Sequence, residues 1–162
     1  MAPADDAFLL GDALAVAPAL RPASSERTVQ LPPGHWYRWR PVPPMGAPAP
    51  VGGAHATDAT TLLESDGARA LALDTPPGQP VVLVRAGSIV PLDDGTGPVD
   101  EGHRPRLLAL HCFPDPDPAG AAAGTCYDDD GDGDGPWGLD HFVLQDDQLE
   151  WHRAGEHPAP DR

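Results

Sequence analysis

The most apolar stretch of the chain, residues 81–92, constrains its fold more than any other feature. Its first half, Val-Val-Leu-Val, is largely β-branched and has no helical spacing, and its second half places Ile-Val ahead of Pro91. Short apolar runs bounded by turn residues predict two buried strands. Gly87 supplies the positive φ that a tight bend between them needs, and we expect Pro91 to end the second strand because proline cannot donate to a ladder. An antiparallel β-sandwich core is the predicted result.

The 22 prolines and 18 glycines of this 162-residue chain are not spread evenly. They concentrate between apolar runs, as loops between strands do. A chain of this length has room for one large or two small domains. The composition therefore predicts an all-β protein whose strands are separated by proline- and glycine-rich connections, at residues 41–53, 75–80, 93–105, 114–124 and 131–138.

The charge of the chain limits its partners. With 25 acidic residues against 10 basic ones, the formal net charge is −15. Nucleic acids and anionic membrane surfaces need the opposite sign, so neither is an expected partner. All basic residues are arginines, which excludes Schiff-base chemistry on lysine.

Two further features concern the compartment. No apolar stretch approaches the roughly 20 residues of a membrane helix, and residues 1–6 lack the basic start of a secretory signal. We therefore expect a cytoplasmic location. Cys112 and Cys126 are the two cysteines, and in such a chain they are expected to be reduced core residues, although a disulfide between them stays open.

The first half of the chain contains one segment with two apolar parts and two candidate hairpins. Residues 7–18 read as two apolar segments around a Gly-Asp turn. Residues 28–31 and 36–39 flank Pro-Pro-Gly and predict a hairpin. Residues 60–63 and 70–73 flank Ser-Asp-Gly and predict a second hairpin.

Three aromatic residues crowd the strand at 36–39. Alternation places Trp36 on one side of this strand, and Tyr37 and Trp39 on the other. Aromatic rings can stack on sugars, so a carbohydrate platform is one interpretation. Bulky aromatic residues in strands are more commonly core or domain-interface residues, and we prefer that interpretation.

Three motifs in order carry a family resemblance. They are Phe-Leu-Leu-Gly-Asp-Ala-Leu-Ala-Val-Ala-Pro at 8–18, Val-Gln-Leu-Pro-Pro-Gly-His-Trp-Tyr-Arg-Trp at 29–39, and Val-Leu-Val-Arg-Ala-Gly-Ser-Ile-Val-Pro-Leu at 82–92. Together they resemble the C-terminal part of glycoside hydrolase family 31, the α-glucosidases and α-xylosidases. Residues 106–114 and 124–131 are similar to the start of the distal sandwich of that family.

The resemblance implies a domain organisation. Both sandwiches of the family pack against a catalytic (β/α)8 barrel. On this chain the resemblance implies a remnant of the barrel end at 1–13, a proximal β-sandwich at 14–92, a linker at 93–105, a short or incomplete distal β-sandwich at 106–152 and a disordered tail at 153–162. Two positions depart from the family pattern. The family usually has an acidic residue where Arg38 stands, and a Thr-Gly turn where Arg40-Pro41 stands.

The resemblance also implies the function. The two catalytic aspartates of the family lie in the barrel, so no catalytic residue is carried over to this sequence. We expect a non-catalytic accessory region of a retaining α-glycosidase, which braces a barrel that is absent from this chain and is supplied in cis or in trans. The alternative is a stand-alone carbohydrate-binding or interaction sandwich, with α-glucoside oligosaccharides as possible ligands. The sugar preference cannot be read from these residues.

An acidic run provides the one metal candidate. Asp128, Asp130 and Asp132, followed by Gly133, match the opening of a calcium loop of the EF-hand type. The twelfth position, which should be a bidentate glutamate, is Leu139, and no helical pattern flanks the run. A solvated acidic turn is the preferred interpretation. The seven histidines lack zinc-motif spacing, so no cofactor is expected.

The absence of paired catalytic acids gives a testable expectation. Retaining glycoside hydrolysis needs two carboxyl groups about 5 Å apart across a cleft, whereas the acids here cluster in turns. We expect the purified chain to show no hydrolysis of p-nitrophenyl α-glucoside above the uncatalysed background. Release of p-nitrophenol, followed by absorbance, is the measurement, and turnover that survives repurification would overturn the expectation.

Overall fold

A computed structural model describes residues 7–21, 25–39, 61–93, 107–117, 119–129 and 137–157. These ranges contain thirteen strands and no helix, which confirms the all-β prediction. Accordingly, they contain no helix long and apolar enough to cross a membrane. The chain divides into two compact units, Met1–Ala86 and Gly87–Arg162.

The first unit contains two sheets. Strands β1, β2, β7, β4 and β5 form a five-stranded sheet in that order, and β3 pairs with β6 in a two-stranded sheet. All these pairs are antiparallel. The strands are β1 Phe8–Leu10, β2 Leu14–Ala17, β3 Glu26–Val29, β4 Gly34–Trp39, β5 Leu62–Ser65, β6 Leu71–Asp74 and β7 Val81–Arg85.

Both sheets contribute to a single apolar core. The five-stranded sheet supplies Trp36 and Leu83, which are 1% and 0% exposed, and the two-stranded sheet supplies Val29, which is 2% exposed. Alternation along each strand sends every second side chain into this core. Two sheets that bury one shared core form a β-sandwich, as the sequence predicts.

Two of the predicted hairpins are wrong. β3 and β4 do not pair, because β3 pairs with β6 whereas β4 pairs with β5 and β7. β5 and β6 also lie in different sheets. In both cases the intervening turn carries the chain across the core from one sheet to the other. Alternation indicates that a segment is a strand, but it does not indicate its partner.

The turn between β5 and β6 lies against the connection between β3 and β4. The Ser65 hydroxyl donates to the carbonyl of Leu31 at 2.9 Å, and the Gln30 side-chain amide donates to the carbonyl of Gly67 at 3.1 Å. The carboxylate of Asp66 accepts the N–H groups of two following residues, which holds the pKa of that carboxyl below its usual value. The two crossing connections thus support each other at one end of the sandwich.

The apolar stretch at 81–92 forms β7 and most of β8, which is Ser88–Asp93. The two strands are joined at Gly87, whose φ is +81°. The second strand does not end at Pro91, so that expectation is wrong. Pro91 lies opposite Leu110, and the strand continues to Asp93. On its other side β8 pairs with β11, and the paired residues there are Ser88 and Ala123. Proline is tolerated where one side of a strand lacks a ladder.

The second unit is one mixed sheet with the order β13, β12, β11, β8 and β9, and β10 pairs with β11 outside this path. Its buried core residues Ile89, Ala122 and Phe142 share one face. β13 extends to His157, five residues into the expected disordered tail. The other domain boundaries stay predictions. The strands after β8 are β9 Leu107–Phe113, β10 Asp115–Pro116, β11 Ala119–Asp129, β12 Trp137–Gln145 and β13 Gln148–His157.

Two glycines with the same backbone conformation provide a test of the close packing between the β3–β4 and β5–β6 connections. Gly67 has φ +77° and a side chain there would meet the Pro33 ring at 2.7 Å, whereas Gly78 has φ +76° and open space around it. We expect Gly78→Ala to lower the free energy of unfolding by about 1 kcal/mol through backbone strain, and Gly67→Ala by about 3 kcal/mol through strain and overlap. Urea denaturation measures both. Equal losses would contradict the close packing of the two connections.

Candidate docking face

The five-stranded sheet has a second face, directed away from the core. Trp36 points into the core, so its neighbours Tyr37 and Trp39 point to the opposite side of the sheet. Residues directly opposite each other on paired strands share a face. The strand register therefore identifies every side chain on this side of the sheet.

The register aligns two apolar rows across the sheet. The first row is Leu10, Leu14, Val84, Tyr37 and Leu62, and the second is Phe8, Val16, Val82 and Trp39. We call these nine residues the outer face. All nine side chains are apolar or aromatic, and the face spans five strands, which corresponds to about 19 Å from β1 to β5.

Exposure is concentrated at the two ends of the outer face. Phe8 and Leu10 on β1 are 52% and 59% exposed, and Leu62 on β5 is 41% exposed. In the middle, Tyr37 and Trp39 are half-buried and Val84 is fully buried. The middle of the outer face is therefore already shielded from solvent, and the apolar side chains that a partner could cover lie on the two edge strands.

A polar row borders the outer face. His35 on β4 lies opposite Glu64 on β5, and both side chains point to the same side as Tyr37. Protein interfaces commonly have an apolar centre and a polar rim. The arrangement therefore has the composition of a docking surface.

An apolar groove adjoins β1 at the edge of the sheet. It has a volume of about 320 Å³ and is lined in part by Phe8, Leu9 and Leu31. Leu9 is 52% exposed and points to the opposite side of β1 from its neighbours Phe8 and Leu10. Both sides of this edge strand are thus accessible to a partner.

Trp36 does not belong to any surface. It is 1% exposed, its indole N–H donates to the carbonyl of Pro32 at 3.1 Å, and the guanidinium of Arg85 lies 5.9 Å from its ring centre. A ring buried in this way has no free face on which a sugar could stack. Of the three predicted aromatic residues, only Tyr37 and Trp39 face outward.

Arg38, which departs from the family pattern, has a structural partner. Its guanidinium contacts the Asp74 carboxylate at 2.8 Å and also donates to the Asp74 carbonyl. Because Asp74 lies on β6, this pair connects the two sheets of the first unit. Asp74 is missed by sequence reasoning, since the two residues are 36 positions apart.

In the second unit, two carboxylates share one guanidinium. The nitrogens of Arg153 lie 3.5 Å from Asp128 and 3.9 Å from Asp140, and the indole N–H of Trp151 donates to Asp140 at 3.1 Å. Arg153 fills the gap between the two acids, so they do not flank an open cleft as the acids of a retaining glycoside hydrolase do. The cluster supports the sheet and offers no catalytic pair.

The calcium candidate is only partly described. Asp128 lies on β11 and pairs with Arg153, whereas Asp130 and Asp132 lie outside the described residues. Within the described ranges, no group of three or more acidic, histidine or cysteine side chains is placed to hold a metal ion. The calcium site stays a prediction.

The two cysteines lie on strands separated by β8. Cys112 is on β9 and Cys126 on β11, so their backbones are about 10 Å apart, farther than a disulfide allows. Neither cysteine forms a disulfide. Burial raises the pKa of the Cys112 thiol.

The comparison with known families now bears on these observations. Residues 1–90 match the glycosyl hydrolase family 31 C-terminal domain. The chain belongs to glycoside hydrolase family 31. The match includes every strand of the outer face and ends within β8 of the second unit. No curated protein matches the chain. Within family 31, a C-terminal domain accompanies a catalytic domain, so an apolar face on this part of the chain has a natural partner.

The raised pKa of Cys112 can be tested by alkylation. In the Cys126→Ser variant we expect the rate of reaction with iodoacetamide to reach half its maximum at a higher pH in the folded chain than in urea, because burial disfavours the thiolate. Mass spectrometry after timed quenching gives the rates. Coinciding pH profiles for the folded and unfolded chain would contradict the burial of this thiol.

Proposed function

We propose that this chain is a non-catalytic accessory region of a retaining α-glycosidase of family 31, and that its outer face packs against the catalytic (β/α)8 barrel. The barrel is supplied by the same polypeptide or by a separate chain. The role of the accessory region is to cover and brace the barrel, whereas binding and cleavage of an α-glucoside take place on the barrel.

The outer face is the observation that carries this proposal. A sandwich needs one face of each sheet for its own core, and here the other face of the larger sheet is also apolar across all five strands. Burying such a face against a partner contributes roughly 25 cal/mol per Å² of apolar surface. A family 31 C-terminal domain has a catalytic domain as its partner, which explains why this apolar surface exists.

The polar side chains support the same role. The guanidiniums of Arg38 and Arg153 pair with carboxylates of their own units, and Trp36 is buried in the core. These groups contribute to stability rather than to a reaction centre. The proposal also includes a cytoplasmic location and a part in carbohydrate metabolism, and the two unbridged thiols are typical of a reducing compartment.

Two charge substitutions test the outer face. We expect the Leu10→Glu and Leu62→Glu double variant to bind the family 31 catalytic domain of the same organism at least ten-fold more weakly than the unaltered chain, because two charges would lose water at the interface. Both positions are more than 40% exposed, so the free energy of unfolding should change by less than about 1 kcal/mol. Isothermal titration calorimetry measures the affinity.

Leu149→Glu is the matched control for this experiment. Leu149 is 49% exposed but lies on β13 of the second unit, outside the outer face. We expect this variant to keep the affinity of the unaltered chain within two-fold. An equal loss in both variants would argue against a specific docking face. Free chain that is a monodisperse monomer and binds no apolar dye would contradict the exposure of the face itself.

A further inference from the structure

The strand register of the second unit brings two histidines together. His141 on β12 lies directly opposite His152 on β13, so both side chains point to the same side of the sheet. Their ring centres are 6.4 Å apart and the ring planes are tilted by 31°. The spacing of ten residues between them in the sequence matches no zinc motif, which is why linear spacing does not reveal the pair.

The separation of the rings suits a shared metal ion. An imidazole nitrogen binds Zn²⁺ at about 2.0–2.1 Å, which places the centres of two rings on one ion roughly 4.5–6.5 Å apart, depending on the angle at the ion. The observed distance corresponds to an ion almost in line between the two rings, whereas a tetrahedral angle at the ion requires ring centres about 5 Å apart. Binding at a tetrahedral angle therefore requires the two side chains to turn toward each other by about 1 Å.

The surroundings of the pair favour a cation. His152 is exposed and His141 is half-buried, so an ion can reach both rings from solvent. The exposed Glu150 lies two residues before His152 on the same side of β13 and adds a negative charge nearby. The net charge of −15 raises the local concentration of cations around the whole chain.

We propose that His141 and His152 together bind one divalent transition-metal ion of the Zn²⁺ or Ni²⁺ class. Imidazole nitrogens suit these ions, whereas Ca²⁺ and Mg²⁺ require oxygen ligands. Water fills the remaining coordination positions. Two protein ligands make a weaker site than the three or four of catalytic and structural zinc centres, so the ion exchanges with solvent.

The site has a structural consequence because β13 is at the edge of its sheet. An ion held by His141 and His152 ties this strand to β12. The two rings face each other only when the strands are paired, so the ion binds the folded state and stabilises it.

Nickel binding by the full chain tests the proposal. We expect calorimetric titration with Ni²⁺ to show one site of this kind per chain, unaffected by excess Ca²⁺. His141→Gln and His152→Gln should each weaken it at least ten-fold. The double variant should be weaker than either single variant by less than two-fold, because removing one ligand already breaks the chelate.

His35→Gln is the matched control. His35 is also a half-buried histidine on a strand, but it lies opposite Glu64 rather than another histidine. We expect it to keep the affinity for Ni²⁺ within two-fold, with circular dichroism confirming that every variant is folded. The proposal is overturned if either single variant retains full affinity, if each removes only half of the bound ions, or if Ca²⁺ displaces Ni²⁺.

Discussion

Burial of β7 on both sides is the constraint on which the rest of the first unit depends. Leu83 points into the core and Val84 to the outer face, yet both are 0% exposed. A central strand with two apolar faces needs neighbours on each edge and cover on each side. β2 and β4 occupy the edges, and the β3–β6 sheet covers the core side. On the outer side Val84 is shielded within the chain as well, and the exposed apolar side chains of this face lie on the edge strands β1 and β5.

The polar interactions are arranged around this apolar framework. Arg38 and Asp74 connect the two sheets of the first unit, and Arg153 holds Asp128 and Asp140 together in the second. Each of these charges has an oppositely charged partner within its own unit. These pairs thus link strands and sheets within each unit.

The errors in the predicted pairing have one physical origin. Asp66 and Gly67 form the kind of turn that normally closes a hairpin, but here the turn passes between sheets because both flanking strands contribute to the same core from opposite sides. Pro91 shows the converse. Its missing N–H ends a ladder only where a strand has partners on both sides, and β8 lacks registered pairing with β11 at that position.

The sequence by itself determined the strand content, the apolar segment at 81–92 and the family resemblance, because alternation and turn chemistry are local properties. It also determined that Tyr37 and Trp39 share a face opposite to that of Trp36. Only the tertiary structure decided which face is the core and which strands pair. These are relations between residues far apart in the chain. The tertiary structure also shows that His141 meets His152 across the hairpin of β12 and β13, whose turn is Asp146-Asp147. The pairing of distant strands depends on the whole core, because their apolar faces have to fit together across it.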